Sequence, residues 1–196
     1  MFKKLINKRH SKKILFFTFN FLPDQSAGST RTELLVEKLH EIEDNLEIII
    51  LCSLPRRYGR KFIKKNLEKD KFYQYMNIKI VRVWIPFLGQ GPLKSLLSYS
   101  FYFVQAGIYS IFVKPDISIV TSAKLFTAFL ASISSKLNRS KLFIDIRDTF
   151  SDNYFYFYRW NKRIVLISII VLIENFIIRS AFSINIISKG FKKAYF

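Results

Sequence analysis

Short, uninterrupted apolar runs, recurring along the whole chain, constrain its fold more than any other feature. They read KILFFTF (13–19), LEIIIL (46–51), IKIVRVW (78–84), DISIVTS (116–122), KLFIDIR (141–147) and FSINIIS (182–188). In several of them consecutive positions are apolar, so neither face of the strand is meant for water. A strand covered on both faces belongs in a parallel sheet with helices packed above and below it. Helical stretches do lie between the runs, at 29–42, 94–112, 123–137 and 160–180. The first shows the period best, with Leu34, Leu35, Leu39 and Ile42 on one face and Glu33, Glu37 and Glu41 on another. Such alternation predicts an α/β fold, a doubly wound parallel sheet joined by right-handed crossovers. No internal repeat or low-complexity linker interrupts it.

A length of 196 residues suits one sizeable domain, or a domain with a fragment of another. Half of the residues are hydrophobic and 21 are Phe, enough to build a core and to exclude a disordered chain. The formal net charge of +18 points to an anionic partner: nucleic acid, a phosphorylated ligand or an acidic membrane surface. Cys52, the lone cysteine, excludes an internal disulfide and sits in LEIIILC as a small buried hydrophobe. With that thiol and two histidines, His10 and His40, a structural zinc site lacks its ligands, and no metal is expected.

The first residues, MFKKLINKRHSKKILFFTFNFLP, have the basic and apolar parts of a secretion signal. Asp24-Gln25 stands where a small-x-small cleavage site is needed, so a basic arm over 1–12 leading into a first buried strand is the better reading. RIVLISIIVLIENFII offers about ten apolar residues before Glu174 and Asn175, short of the roughly twenty that a span needs. SLLSYSFYFVQAGIYSIFV is longer but carries Gln105, Gly107 and several hydroxyls. Both read as helices that are buried or partly membrane-facing.

One segment departs from the alternation. PRRYGRKFIKKNLEKDKF (55–72) holds eight Lys and Arg against Glu68 and Asp70. It is either a solvated loop and helix face or, with Ile63 and aromatics interleaved, a patch facing acidic lipid head groups. Nucleic acid is the weaker partner, because no zinc-finger, RNP-like or helix-turn-helix signature accompanies the basic groups at 1–13 and 55–72.

Ligands of open parallel sheets bind where strands end and helices begin. At the first such junction, NFLPDQSAGSTRTEL (20–34), Gly28 lets a ligand approach the main chain, and Ser29 or Thr30 can cap the helix. A helix start favours an anion, and Arg31 in the first turn adds a positive charge where acids are usual. The motif is neither G-x-G-x-x-G nor a P-loop, so a plain capped turn is the competing reading. At the second junction, FIDIRDTFSDNYF, Asp145, Arg147, Asp148 and Asp152 cluster at a strand end. Arg147 paired to a neighbouring Asp would merely fix the loop, but four charges together favour a solvent-facing cleft. The third, TSAKLFTA (121–128), supplies hydroxyls and is unspecific.

Four blocks carry a resemblance: FNFLPDQSAGSTRTELLVEKL, PDISIVTSAKLFTAFLASISSKL, LFIDIRDTFSDNY and IENFIIRSAFSINIISKGFKKAYF. In this order they resemble the N-terminal, acceptor-side domain of bacterial family 4 GT-B glycosyltransferases, over nearly the whole chain. The resemblance implies a Rossmann-like domain over 13–196 that faces a second such domain across a cleft holding a nucleotide-sugar. It implies retaining transfer to a saccharide, often lipid-linked, in surface polysaccharide synthesis, with the protein peripheral on the inner face of the cytoplasmic membrane and no cofactor beyond the donor substrate.

Carried onto this chain, the resemblance places Gly28, Ser29 and Arg31 by the donor diphosphate, with Arg147 and Asp148 closing the fifth strand and Asp148 the catalytic candidate. Many members have His-Asp where this chain has Arg147-Asp148, and neither His10 nor His40 is placed to substitute. The family's donor-binding half, with its Glu-x7-Glu motif, would follow Phe196, in the same or a separate chain. Glu33 and Glu41 have that spacing but read as a solvated helix face around Glu37. The chain alone is therefore expected to be inactive, and its surface toward a second domain to be apolar and prone to aggregate or to meet membranes. A non-catalytic, membrane-associated remnant is the alternative.

Overall fold

The computed structural model describes residues 12–24, 26–43, 45–55, 77–86, 92–121, 125–146 and 164–186. Six strands form one sheet: β1 (Lys12–Phe17), β2 (Leu46–Ser53), β3 (Ile78–Val83), β4 (Ile117–Thr121), β5 (Lys141–Ile146) and β6 (Ser183–Ile186). All neighbours pair in parallel, in the order β3-β2-β1-β4-β5-β6. Four helices are described: α1 (Ala27–Ile42), α2 (Pro92–Val113), α3 (Leu125–Asn138) and α4 (Ile164–Ser180). The chain is thus an α/β protein with a Rossmann-like, doubly wound sheet, as its apolar runs predict. The strand order reverses between β1 and β4, which makes that boundary the topological switch point.

The period-2 alternation of side chains divides the core in two. On one face Leu15, Phe17, Ile49, Leu51, Val120 and Ile144 meet α2, α3 and α4 through Tyr102, Ala106, Leu130, Ala131 and Ile177. On the other, Ile14, Phe16, Ile48, Ile50, Ile119 and Phe143 meet Val36 and Leu39 of α1. Every strand position from Ile14 to Phe17 is buried, because β1 lies mid-sheet with helices on both sides. Cys52 is buried within the second of these cores.

The middle helix of the three-helix layer, α3, reaches the sheet with small side chains, Ala128, Ala131, Ser132 and Ser135. Their hydroxyls cost little there, since Ser132 donates to the Ala128 carbonyl at 2.9 Å and Ser135 to the Ser140 carbonyl at 2.7 Å.

The buried stripe of α1 differs from the one its leucines suggest. Ser29, Thr32, Val36 and Leu39 face the sheet, while Leu34 and Ile42 are 53% and 51% exposed. Leu34 lies roughly 200° around the helix from both Thr32 and Val36, so it cannot share their face. Thr32 tolerates burial because its hydroxyl donates to the Gly28 carbonyl at 3.0 Å. Glu41 belongs to an exposed face, where Lys38 holds it at 2.6 Å.

Candidate functional site

β1 ends at Phe17, and the following residues turn over the carboxyl edge of the sheet at the switch point before α1 begins. Bonds from several elements pin this loop. The Thr18 N–H donates to Leu51 O at 3.1 Å, and the Ser53 N–H and hydroxyl both donate to Phe19 O, at 3.0 and 2.7 Å. Arg82 donates to Leu22 O, just before a cis Leu22–Pro23 bond. From α2, the Tyr102 hydroxyl sits 3.1 Å from Thr18 O and 2.9 Å from Leu51 O. The Phe19 ring packs edge-on against Tyr99 and Tyr102, with centroids 4.5 and 5.2 Å away. Burial first, and the neighbouring Cys52 second, push the Tyr102 hydroxyl well above its ordinary value, so it stays a neutral donor. The strand end is a braced platform.

The helix begins a turn earlier than the hydroxyls at Ser29 and Thr30 suggest, and neither of them is the cap. Ser26 is the N-cap, in an extended conformation, and its Oγ accepts the Ser29 N–H at 3.1 Å. In return Ser29 Oγ accepts the Ser26 N–H at 2.8 Å, a reciprocal capping box with Ser in the place of the usual Glu or Gln. The Ser26 carbonyl already takes the Thr30 N–H at 3.1 Å, which winds the first turn ahead of Ser29. Gly28 therefore lies inside the first turn, not in the loop. Ser29 is buried and its hydroxyl also donates to the Asp24 carbonyl, so that side chain is consumed by the cap and does not face a ligand.

Arg31 emerges from this turn toward β5. Its Nε and Nη2 each lie 2.9 Å from one oxygen of Asp145, a bidentate pair. Asn185 of β6, in register with Asp145, donates to the same carboxylate at 2.6 Å. The carboxylate raises the affinity of the guanidinium for its proton, outweighing the opposing effect of burial. Part of the charge that Arg31 was expected to offer an external anion is thus met by Asp145 within the chain. Two of the five guanidinium N–H groups serve Asp145, and the side chain is still 37% exposed. Arg31 is consequently a cation held in one orientation at the strand ends.

Of the residues singled out from sequence, the fold brings Gly28, Ser29, Arg31 and Asp145 together. Arg147, Asp148 and Asp152 lie outside the described residues, as do 1–11 and 56–76, which hold 12 of the 32 Lys and Arg residues. Asn185 was missed, although its signal exists: Asp145 and Asn185 are each a polar interruption of an apolar run, and they face one another in register. Beside the ion pair an apolar cavity of about 420 Å³ opens between α1, β5 and β6, its lining including Leu35, Leu39, Ile42, Phe143 and Ile184, with Lys38, Asp145, Ser183 and Asn185 as polar groups.

No protein-family model matches the chain. No curated protein matches it either. Among solved structures it is similar to a protein of unknown function from Vibrio parahaemolyticus, at 10% identity over 94% of this chain and 98% of that one, with a TM-score of 0.47. That degree of likeness says nothing about the site.

Proposed function

We propose that the chain forms the acceptor-side half of a retaining GT-B glycosyltransferase, which moves a sugar from a nucleotide-sugar to a saccharide acceptor. One observation carries the reading: an acid-free helix N-terminus at the switch point, with the Arg31 guanidinium pre-oriented beside it by Asp145. A diphosphate is the ligand chemistry that such a turn suits. The four ordered sequence blocks supply the reaction class, which the turn alone does not.

In this reading the loop and α1 form one wall of the donor site. Arg31 steadies the diphosphate as negative charge develops on the leaving group, and a second, donor-binding wall must close over it. Asp148, with Arg147 before it, is the residue to test for the chemistry at the acceptor.

The reading is tested by titrating the isotopically labelled chain with UDP-glucose, GDP-mannose and inorganic pyrophosphate and following the amides of 26–31. Saturable shifts with at least one nucleotide-sugar, strongly weakened in Arg31→Gln, are expected. Indifference of these amides to every probe would refute it. Sugar transfer by this chain alone would refute the need for a second wall.

A further inference from the structure

We propose that the outer face of α2 is a membrane-contact surface that seats the domain on anionic lipid. The inference stands apart from the glycosyl-transfer reading, since it rests on how α2 is oriented. This helix turns Ser98, Tyr102, Ala106 and Ser110 toward the core. It turns Leu93, Leu97, Phe101, Val104, Ile108 and Phe112 outward, with Val104 58% and Phe112 79% exposed. A helix facing water has the opposite arrangement, with its apolar stripe against the core. Steps of three and four residues keep the outward stripe on one side along the length of the helix, about 33 Å at 1.5 Å per residue. Trp84 extends the patch, 57% exposed and packed edge-on against Phe101.

Length and apolarity alone would let Leu93–Val113 cross a bilayer. Its inner face excludes that arrangement, because Tyr102 is bonded to backbone carbonyls of the sheet region and Ala106 lies in the core. A helix held on one side by a sheet lies along a membrane surface rather than through it.

Charge selects lipid over other occupants. No Asp or Glu occurs between Asp70 and Asp116, while exposed Lys94 and Lys114 bracket the apolar stripe. An anionic bilayer offers head groups to the lysines and hydrocarbon to the stripe, and Trp84 suits the boundary between them. A second copy would set one +18 chain, with its own Lys94 and Lys114, against another. The stripe starts at Trp84, next to the end of β3, and runs along the flank of the three-helix layer to Phe112, near the start of β4, so most of it lies beyond the strand ends where a donor domain would close.

The experiment uses the full chain with Trp160→Phe, so that Trp84 is the lone tryptophan, and floats it with vesicles of phosphatidylglycerol and phosphatidylethanolamine or of phosphatidylcholine. Binding to the anionic vesicles, quenching of Trp84 by brominated acyl chains, and a loss of about tenfold or more in Val104→Gln/Ile108→Gln are expected. Both substitutions are at exposed sites, and an unchanged circular dichroism spectrum shows that the fold is kept. Vesicle binding unaffected by the double variant, or no vesicle binding at all, overturns the proposal. So does a dimer that the double variant dissolves and lipid does not. No nucleotide-sugar enters this assay, so its outcome is independent of the donor titration.

Discussion

The pairing of Arg31 with Asp145 allows a sharp thermodynamic test, because its two members are unequally buried. The Asp145 side chain is 7% exposed, whereas Arg31 keeps more than a third of its side chain in water. Removing one partner of a fully buried pair costs about 3–5 kcal/mol, mostly from the charge left behind. Arg31→Ala leaves a nearly buried carboxylate with Asn185 as its remaining described partner, so about 3 kcal/mol is expected, at the low end of that range. Asp145→Ala leaves a guanidinium that water already reaches, and the loss should be about 2 kcal/mol after allowing for that solvation. The double variant strands neither charge, so its loss should fall short of the sum by about 1–2 kcal/mol. Urea unfolding followed by circular dichroism measures all three, provided that the dependence on urea keeps its slope. If Asp145→Ala is the more damaging single change, or the coupling is below about 0.5 kcal/mol, the pair is not what fixes α1 to β5.

Two further outcomes follow from the loop bonds. Ser26→Ala should cost about 1 kcal/mol by the same unfolding assay, while Thr30→Ala should stay within about 0.5 kcal/mol, which separates the cap from its neighbour. Tyr102→Phe should cost about 1–2 kcal/mol at neutral pH, since Thr18 O and Leu51 O both lose a buried donor. The folded Tyr102 holds its proton well above 10, while in the unfolded chain it titrates near 10. Its contribution is therefore complete below about pH 10 and falls as the pH rises beyond that, with the unfolded state releasing the proton first. Tyr102→Phe should flatten this alkaline decline, and parallel pH profiles for the two proteins would refute the assignment.

The strands were legible because each apolar run has to be hidden on both faces, and parallel pairing satisfies that without knowledge of any partner. The helices were legible in place but less so in rotation. In α1 the count of leucines favoured a face containing Leu34 and Ile42, yet the helix turns Thr32 and Val36 inward. Its orientation is fixed partly by Arg31 reaching Asp145, a contact between residues 114 positions apart that no local window contains. The cap was misread for a related reason: Ser26, Ser29 and Thr30 all offer hydroxyls, and which one caps depends on where the loop leaves the sheet. For α2 a buried and a partly membrane-facing helix both stayed open, because periodicity shows a stripe but not which side of the helix the sheet takes.

The central position of β1 also has a consequence for how the protein is made. β1 is the first strand of the sheet to leave the ribosome, and its two neighbours are β2 and β4. β2 follows soon, but β4 is completed about a hundred residues after Phe17, roughly 5–20 s later at ordinary rates of synthesis. Throughout that interval Phe16 and Phe17 sit on a strand with one edge open, the state in which nascent chains join each other or are held by chaperones. Slowing translation before Ile117 should therefore lower the soluble yield of this protein, and speeding it should raise that yield.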